Sequence, residues 1–175
     1  MGNSVLTTQS HTSNRRDCQL TGPKKSKQMA SRRTGKTENT TKTRKYDGLE
    51  ISGGQHHTVV CNKGSVYVIG RKEYGRLGLG ENISEEPCTP RRIPTLDKIT
   101  HVSTGTICSF AVSEPGEVFS WGMGTNLQLG TGEEADAWEP VKVTGKKMEN
   151  KKVIAVSGGG QHTAILVSLP LKNCK

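Results

Sequence analysis

The chain has 175 residues, with 25 Lys/Arg against 16 Asp/Glu, and its formal charge of +9 is unevenly placed. Residues 1–46 carry eleven basic residues against two acids, Asp17 and Glu38, whereas residues 47–175 carry fourteen of each sign. That excludes a broadly basic folded surface and assigns any polyanion affinity to the first quarter of the chain.

Five cysteines (Cys18, Cys61, Cys88, Cys108, Cys174) form no CxxC pair, so neither a disulfide framework nor a zinc site follows. No stretch approaches the roughly 18 apolar residues of a membrane helix, and the N-terminus lacks a signal-peptide core. The expectation is a reduced, intracellular compartment, no membrane, no metal and no cofactor.

Residues 1–46 are rich in Ser, Thr, Lys and Arg, with almost no apolar residue after Leu6. Too little apolar surface is present to offset the entropy of ordering, which predicts a disordered tail. Its basic pairs, Arg15-Arg16, Lys24-Lys25, Arg32-Arg33 and Arg44-Lys45, suit nuclear import or non-specific contact with the phosphates of nucleic acid or chromatin. A solubilising leader without a partner is the plainer reading. Without interleaved aromatics, sequence-specific base recognition is not expected.

From Ser52 the chain repeats itself. A shift of 52 residues sets Gly53 on Gly105, Gly64 on Gly116, Gly70 on Gly122 and Gly78 on Gly130. A third copy opens at Ser157-Gly-Gly-Gly-Gln-His-Thr. Self-similarity at a period of roughly 40 to 50 residues marks propellers and other repeat arrays. The repeated glycines should stand where φ is positive or where a side chain would clash.

In chain order, His57–Cys61 and Ser65–Ile69 are two β-rich runs joined through Asn62-Lys63-Gly64, a predicted hairpin. Ser109–Val112 and Val118–Trp121 repeat it around Pro115-Gly116. A glycine-punctuated loop follows each hairpin, and neither leads into the helix that a phosphate-cradling loop requires. Polar, proline-bearing links (81–97 and 133–152) then lead to the apolar runs Ile99–Ser103 and Val153–Ser157. Short strands, no convincing helix and this period predict an all-β chain built of propeller blades. Cys61 and Cys108 belong in the core, and Trp121 and Trp138 between blades.

The segments SGGQHHTVV, GRKEYGRLGLGE, VFSWGMGTNLQLGTGEEADAWEPV and SGGGQHTAILV resemble the regulator of chromosome condensation family over about residues 47–168. The resemblance implies about two and a half blades of a seven-bladed β-propeller, divided at about 51–102, 103–155 and 156–168. A short C-terminal tail, 169–175, would follow. The incomplete ring suggests a truncated form or a fragment.

The family's namesake is a guanine nucleotide exchange factor for the small GTPase Ran, a regulator that performs no covalent chemistry. The resemblance therefore implies Ran as partner, a nuclear, chromatin-associated location with some cytoplasmic presence, and no catalytic residue. Histidines of the SGGQH-type motifs would contribute to the Ran-binding face. Carried over, these are His56 and His162. The unbroken Gly-Gly-Gln-His match selects His56, while a match on His-Thr would select His57. Only one of the two can face outward, since neighbours on a strand point to opposite sides. The segments that expel nucleotide have no counterpart here, so binding without exchange is expected. A repeat scaffold with other partners is the alternative.

Overall fold

The computed structural model describes residues 48–168, which form three antiparallel sheets in chain order. The first holds β1 (Leu49–Gly53), β2 (His57–Asn62), β3 (Ser65–Gly70) and a two-residue β4 (Arg91–Arg92). The second holds β5 (Ile99–Thr104), β6 (Cys108–Ser113), β7 (Val118–Gly122) and β8 (Ala137–Lys142). The third holds β9 (Lys152–Gly158) and β10 (Thr163–Ser168). Each sheet is a simple meander. The expected tail, residues 1–46, and the expected C-terminal segment, 169–175, lie outside the described residues.

Both predicted hairpins form. The β2–β3 turn is Lys63-Gly64 with φ of 48° and 86°. Positive φ at both positions is the geometry whose twist matches the flanking strands. Pro140 lies in β8, the outermost strand of its sheet, where a missing N–H costs no ladder bond.

The division at 102/103 and 155/156 falls inside β5 and β9, and each of those strands opens a new sheet. The sequence period has a length but no origin, so it does not say where a sheet begins. The structure sets the break at Lys98 (φ 52°), after which Ile99 N–H donates to Gly64 O at 3.0 Å. The link 81–97 is also less polar in effect than its composition suggests. It contributes β4, and it sends Ile93 and Leu96 into the core.

Alternation along the strands gives each sheet a forward face, toward the next sheet, and a rear face. Val59, Cys61, Val66 and Val68 on the forward face of the first sheet pack against Val102, Ala111 and Trp121 on the rear of the second. Cys108, Phe110, Val112 and Val118 on the forward face of the second pack against Val153 and Val156 of the third. Each such buried aliphatic or aromatic side chain stabilises by about 1.5–3 kcal/mol. Cys61 and Cys108 are core residues as expected, and burial raises both thiol pKa values.

Polar bonds stitch the first strands of the three sheets together. Glu50 Oε1 lies 2.7 Å from His101 Nδ1, and Val102 N–H donates to Glu50 Oε2 at 2.8 Å. His101 Nε2–H donates to Val156 O at 2.8 Å, so one imidazole joins β1, β5 and β9. Thr104 N–H donates to Ser52 Oγ at 3.0 Å, and Gly158 N–H donates to Ser103 Oγ at 3.2 Å.

Candidate interaction face

One end of the assembly is built from the turns entering the second strand of each sheet. Gly54 N–H donates to His57 O at 2.9 Å, Gly105 N–H to Cys108 O at 2.8 Å and Gly159 N–H to His162 O at 2.8 Å. The three turns are therefore one structure repeated. They are tied in a row, with Gln55 N–H donating to Thr106 O at 3.1 Å and Thr106 N–H to Gly159 O at 3.2 Å. A Cβ on Gly54 would come within 2.6 Å of His57 Nδ1, one on Gly105 within 2.5 Å of Gly159 O, and one on Gly159 within 2.6 Å of His162 Cε1. At Gly54 and Gly105, where backbone carbonyls crowd the position, only glycine fits, whereas at Gly159 the exposed His162 ring would have to move aside.

This register corrects two sequence alignments. Gly54, not Gly53, is the counterpart of Gly105, and a Cβ on Gly53 would meet nothing within 4 Å. Likewise His57, not His56, is the structural counterpart of His162. The hairpin turn after β6 is one residue longer than the one after β2, so the spacing is 51 residues before it and 52 after it, which the ungapped shift of 52 concealed. The glycines at 64, 70, 78, 116, 122 and 130 all have positive φ, and Gly105 is held by contact alone.

His57 is buried at the boundary of the first two sheets, with Nε2 at 2.8 Å from Ser109 Oγ. Ser109 Oγ–H donates to Arg76 O at 3.0 Å, so Ser109 must accept from His57 Nε2–H. The ring is neutral. Burial, followed by the nearby Arg76 charge, lowers its pKa to about 4. Trp121 Nε1–H donates to the same Arg76 carbonyl at 3.1 Å.

Arg76 is itself buried, and burial pulls its guanidinium below the usual range. Its Nε–H donates to Glu73 O at 2.8 Å, and its guanidinium lies 5.7 Å from the Tyr74 ring centre. The His57–Ser109 pair does not make a nucleophile. Ser109 is fully buried, its proton is committed to a carbonyl, and the imidazole donates to it rather than accepting from it.

The sequence-selected histidines occupy different sheets. His56 is half-buried in the turn before β2, and its carbonyl accepts from Arg71 N–H at 2.9 Å. His162 is exposed just before β10. The Thr106–Ile107 turn lies between their turns. The structure thus sets His56 and His162 on one end without pairing them, and it leaves His57 out of solvent.

A cleft of about 250 Å³ that the sequence did not announce lies between the Thr106–Ile107 and Gly160–Gln161 turns, with Met123, Asn126 and Gln128 on its wall. It carries no charged side chain and is smaller than the roughly 300–1,000 Å³ of most small-molecule sites. Such an end suits contact with a macromolecule better than chemistry on a metabolite.

Antiparallel meanders packed face to face, each cross-linked to the next by the same turn, define a β-propeller repeat protein. The model of the "Regulator of chromosome condensation (RCC1) repeat" matches residues 63–112 and 115–166, and the chain belongs to that family. It is 59% identical over 120 residues to the Regulator of chromosome condensation of Xenopus laevis, and 53% identical over 118 residues to that of Homo sapiens. These matches take in 68% and 67% of this chain, and 28% of each relative. The chain thus spans little more than a quarter of the length of these relatives.

A more distant match, 36% identical over 121 residues, is the human Probable E3 ubiquitin-protein ligase HERC3; it takes in 67% of this chain and 11% of that protein. Among solved structures the chain resembles Prp20p from Saccharomyces cerevisiae, with a TM-score of 0.66 at 24% identity, over 71% of this chain and 32% of that one. That structure was described together with its binding properties to Gsp1p and histones.

Proposed function

We propose that residues 48–168 carry part of a face that binds a Ran-type small GTPase, and that the chain binds without accelerating nucleotide exchange. The observation that carries this reading is the row of three equivalent turns on one end, the outer two carrying Gly-Gln-His, within a segment 59% identical to a Regulator of chromosome condensation. His56 and His162 are the side chains assigned to the contact, beside the uncharged cleft. An exchange factor acts by binding the nucleotide-free GTPase more tightly than the loaded one, and so needs no nucleophile or cofactor. Exchange would draw on segments of the longer relatives that have no match here.

The test mixes the chain with Ran carrying a fluorescent nucleotide and, separately, captures nucleotide-free Ran on immobilised chain. Capture that weakens several-fold with His56→Ala or His162→Ala, with nucleotide release at the spontaneous rate, supports the proposal. No capture overturns it.

A second reading rests on charge. The eleven basic residues against two acids in residues 1–46 suit a sequence-independent contact with nucleic acid or chromatin, in keeping with a nuclear location. DNA affinity should fall steeply with salt and disappear on deletion of residues 1–46; affinity unchanged by the deletion would exclude the tail.

A further inference from the structure

Among the described residues one sheet-to-sheet interface is used twice, and its two halves stand exposed on the first and third sheets. On the rear faces, Val102 of the second sheet and Val156 of the third are 2% and 3% exposed, whereas Ile51, at the same position in the first sheet, is 58% exposed. On the forward faces, Val59 and Cys61 of the first sheet and Phe110 and Val112 of the second are buried. Their counterparts on the third, Ala164 and Leu166, are exposed, Leu166 at 60%.

The polar halves are open in the same way. Ser52 and Ser103 each accept a backbone N–H from the first strand of the following sheet, and Ser157 stands exposed at the third such position. His57 donates across a boundary to Ser109, and His162, its counterpart, faces solvent.

We propose that the chain associates head to tail with a second copy of itself, the forward face of the third sheet docking on the rear face of the first. The occupant is set by continuity with the interface already present. In that register Leu166 and Ala164 cover Ile51 of the second copy, Ser157 Oγ accepts from its Gly53 N–H, and His162 Nε2–H donates to its Thr58 hydroxyl. The apolar and serine contacts repeat those at both internal boundaries, and the histidine contact repeats the one at the first, since Cys108 stands at that position in the second sheet. Each copy offers one face and consumes the other, so the contact is heterologous and propagates beyond two copies. The shared face is apolar, and screening by salt does not weaken it.

Sedimentation velocity on the purified full chain over a wide concentration range tests this, in low and in high salt. The expected result is a sedimentation coefficient that rises with concentration in both salts. Ile51→Lys spoils only the rear face and Leu166→Lys only the forward face, so each alone should sediment as a monomer. An equimolar mixture of the two retains one intact pair of faces and should give a dimer that grows no further. That recovery also shows both variants to be folded. A wild-type chain that stays monomeric throughout, association lost in high salt, single variants that still assemble, or a mixture that remains monomeric would each overturn the proposal.

Discussion

The imidazole of His57 and the hydroxyl of Ser109 meet across the boundary of the first two sheets, Nε2 to Oγ at 2.8 Å, with the histidine as donor. Burial, with the Arg76 charge nearby, holds this ring neutral in the fold, while in the unfolded chain it titrates near the ordinary value of about 6.5. Its pKa of about 4 in the fold lies below that value, so the unfolded state takes up the proton first. Stability conferred by the neutral ring is complete above pH ~6.5 and is lost as pH falls toward ~4, a change of roughly 3 kcal/mol at most. Urea midpoints measured from pH 7 to pH 4 should drop across that window. In His57→Gln the drop should be distinctly shallower, although that variant starts from lower stability.

Gly70 and Gly122 are one kind of glycine in this chain, and Gly53 is another. Gly122 has φ of 108°, and a Cβ there would fall 2.5 Å from Ile107 O; Gly70 has φ of 126° and a backbone contact of 2.6 Å to His57 Cα. Gly122→Ala should cost at least about 2–3 kcal/mol, visible as a fall in the thermal midpoint or as insoluble product. Gly53→Ala, with ordinary φ and open space, should be neutral or stabilising by about 0.4–1 kcal/mol. Equal effects at the two sites would contradict this account of the glycines.

Glu50 and His101 join the first two sheets at 2.7 Å, and His101 reaches on to the third. Their side chains are partly open to solvent, which screens the pair. Glu50→Gln and His101→Gln should each destabilise by about 1–2 kcal/mol, and a double-mutant cycle should return a coupling of roughly 1 kcal/mol. Coupling within error of zero would mean that the geometry carries no energy.

Cys61 and Cys108 are buried, and their thiols are pushed up by burial, whereas Cys88 is exposed. Brief alkylation of the native protein, mapped by mass spectrometry, should label Cys88 and spare the other two until denaturant is added. Rapid labelling of Cys108 would show that the boundary between the second and third sheets opens readily.

Much of this was legible in the residues. Hairpins announced themselves by alternation and by Lys63-Gly64 and Pro115-Gly116, and the period near 52 residues gave the blade. What the chain could not show is phase. The hairpin turn Glu114-Pro115-Gly116 is one residue longer than Lys63-Gly64, which an ungapped shift cannot register, so Gly53 was set on Gly105 in place of Gly54, and the Gly-Gly-Gln-His match set His56 on His162 in place of His57. Ile93 and Leu96 were masked by the charged and proline-rich residues around them. The cleft beside Met123 is made of three turns that are distant in sequence. The burial of Arg76 was not legible, because its Nε–H is satisfied by the Glu73 carbonyl and its guanidinium lies 3.9 Å from the Glu73 carboxylate, a pairing that a glycine-punctuated loop does not announce.

The family repeat and the sheet are out of step: the segment 63–112 begins in the turn before β3 of one sheet and ends on β6 of the next. Each family repeat is thus half of one blade and half of its neighbour, overlapping like roof tiles. Gain or loss of one unit by duplication or deletion would leave matching half-blades to rejoin. An array of this kind can change its number of blades without ever passing through a broken one.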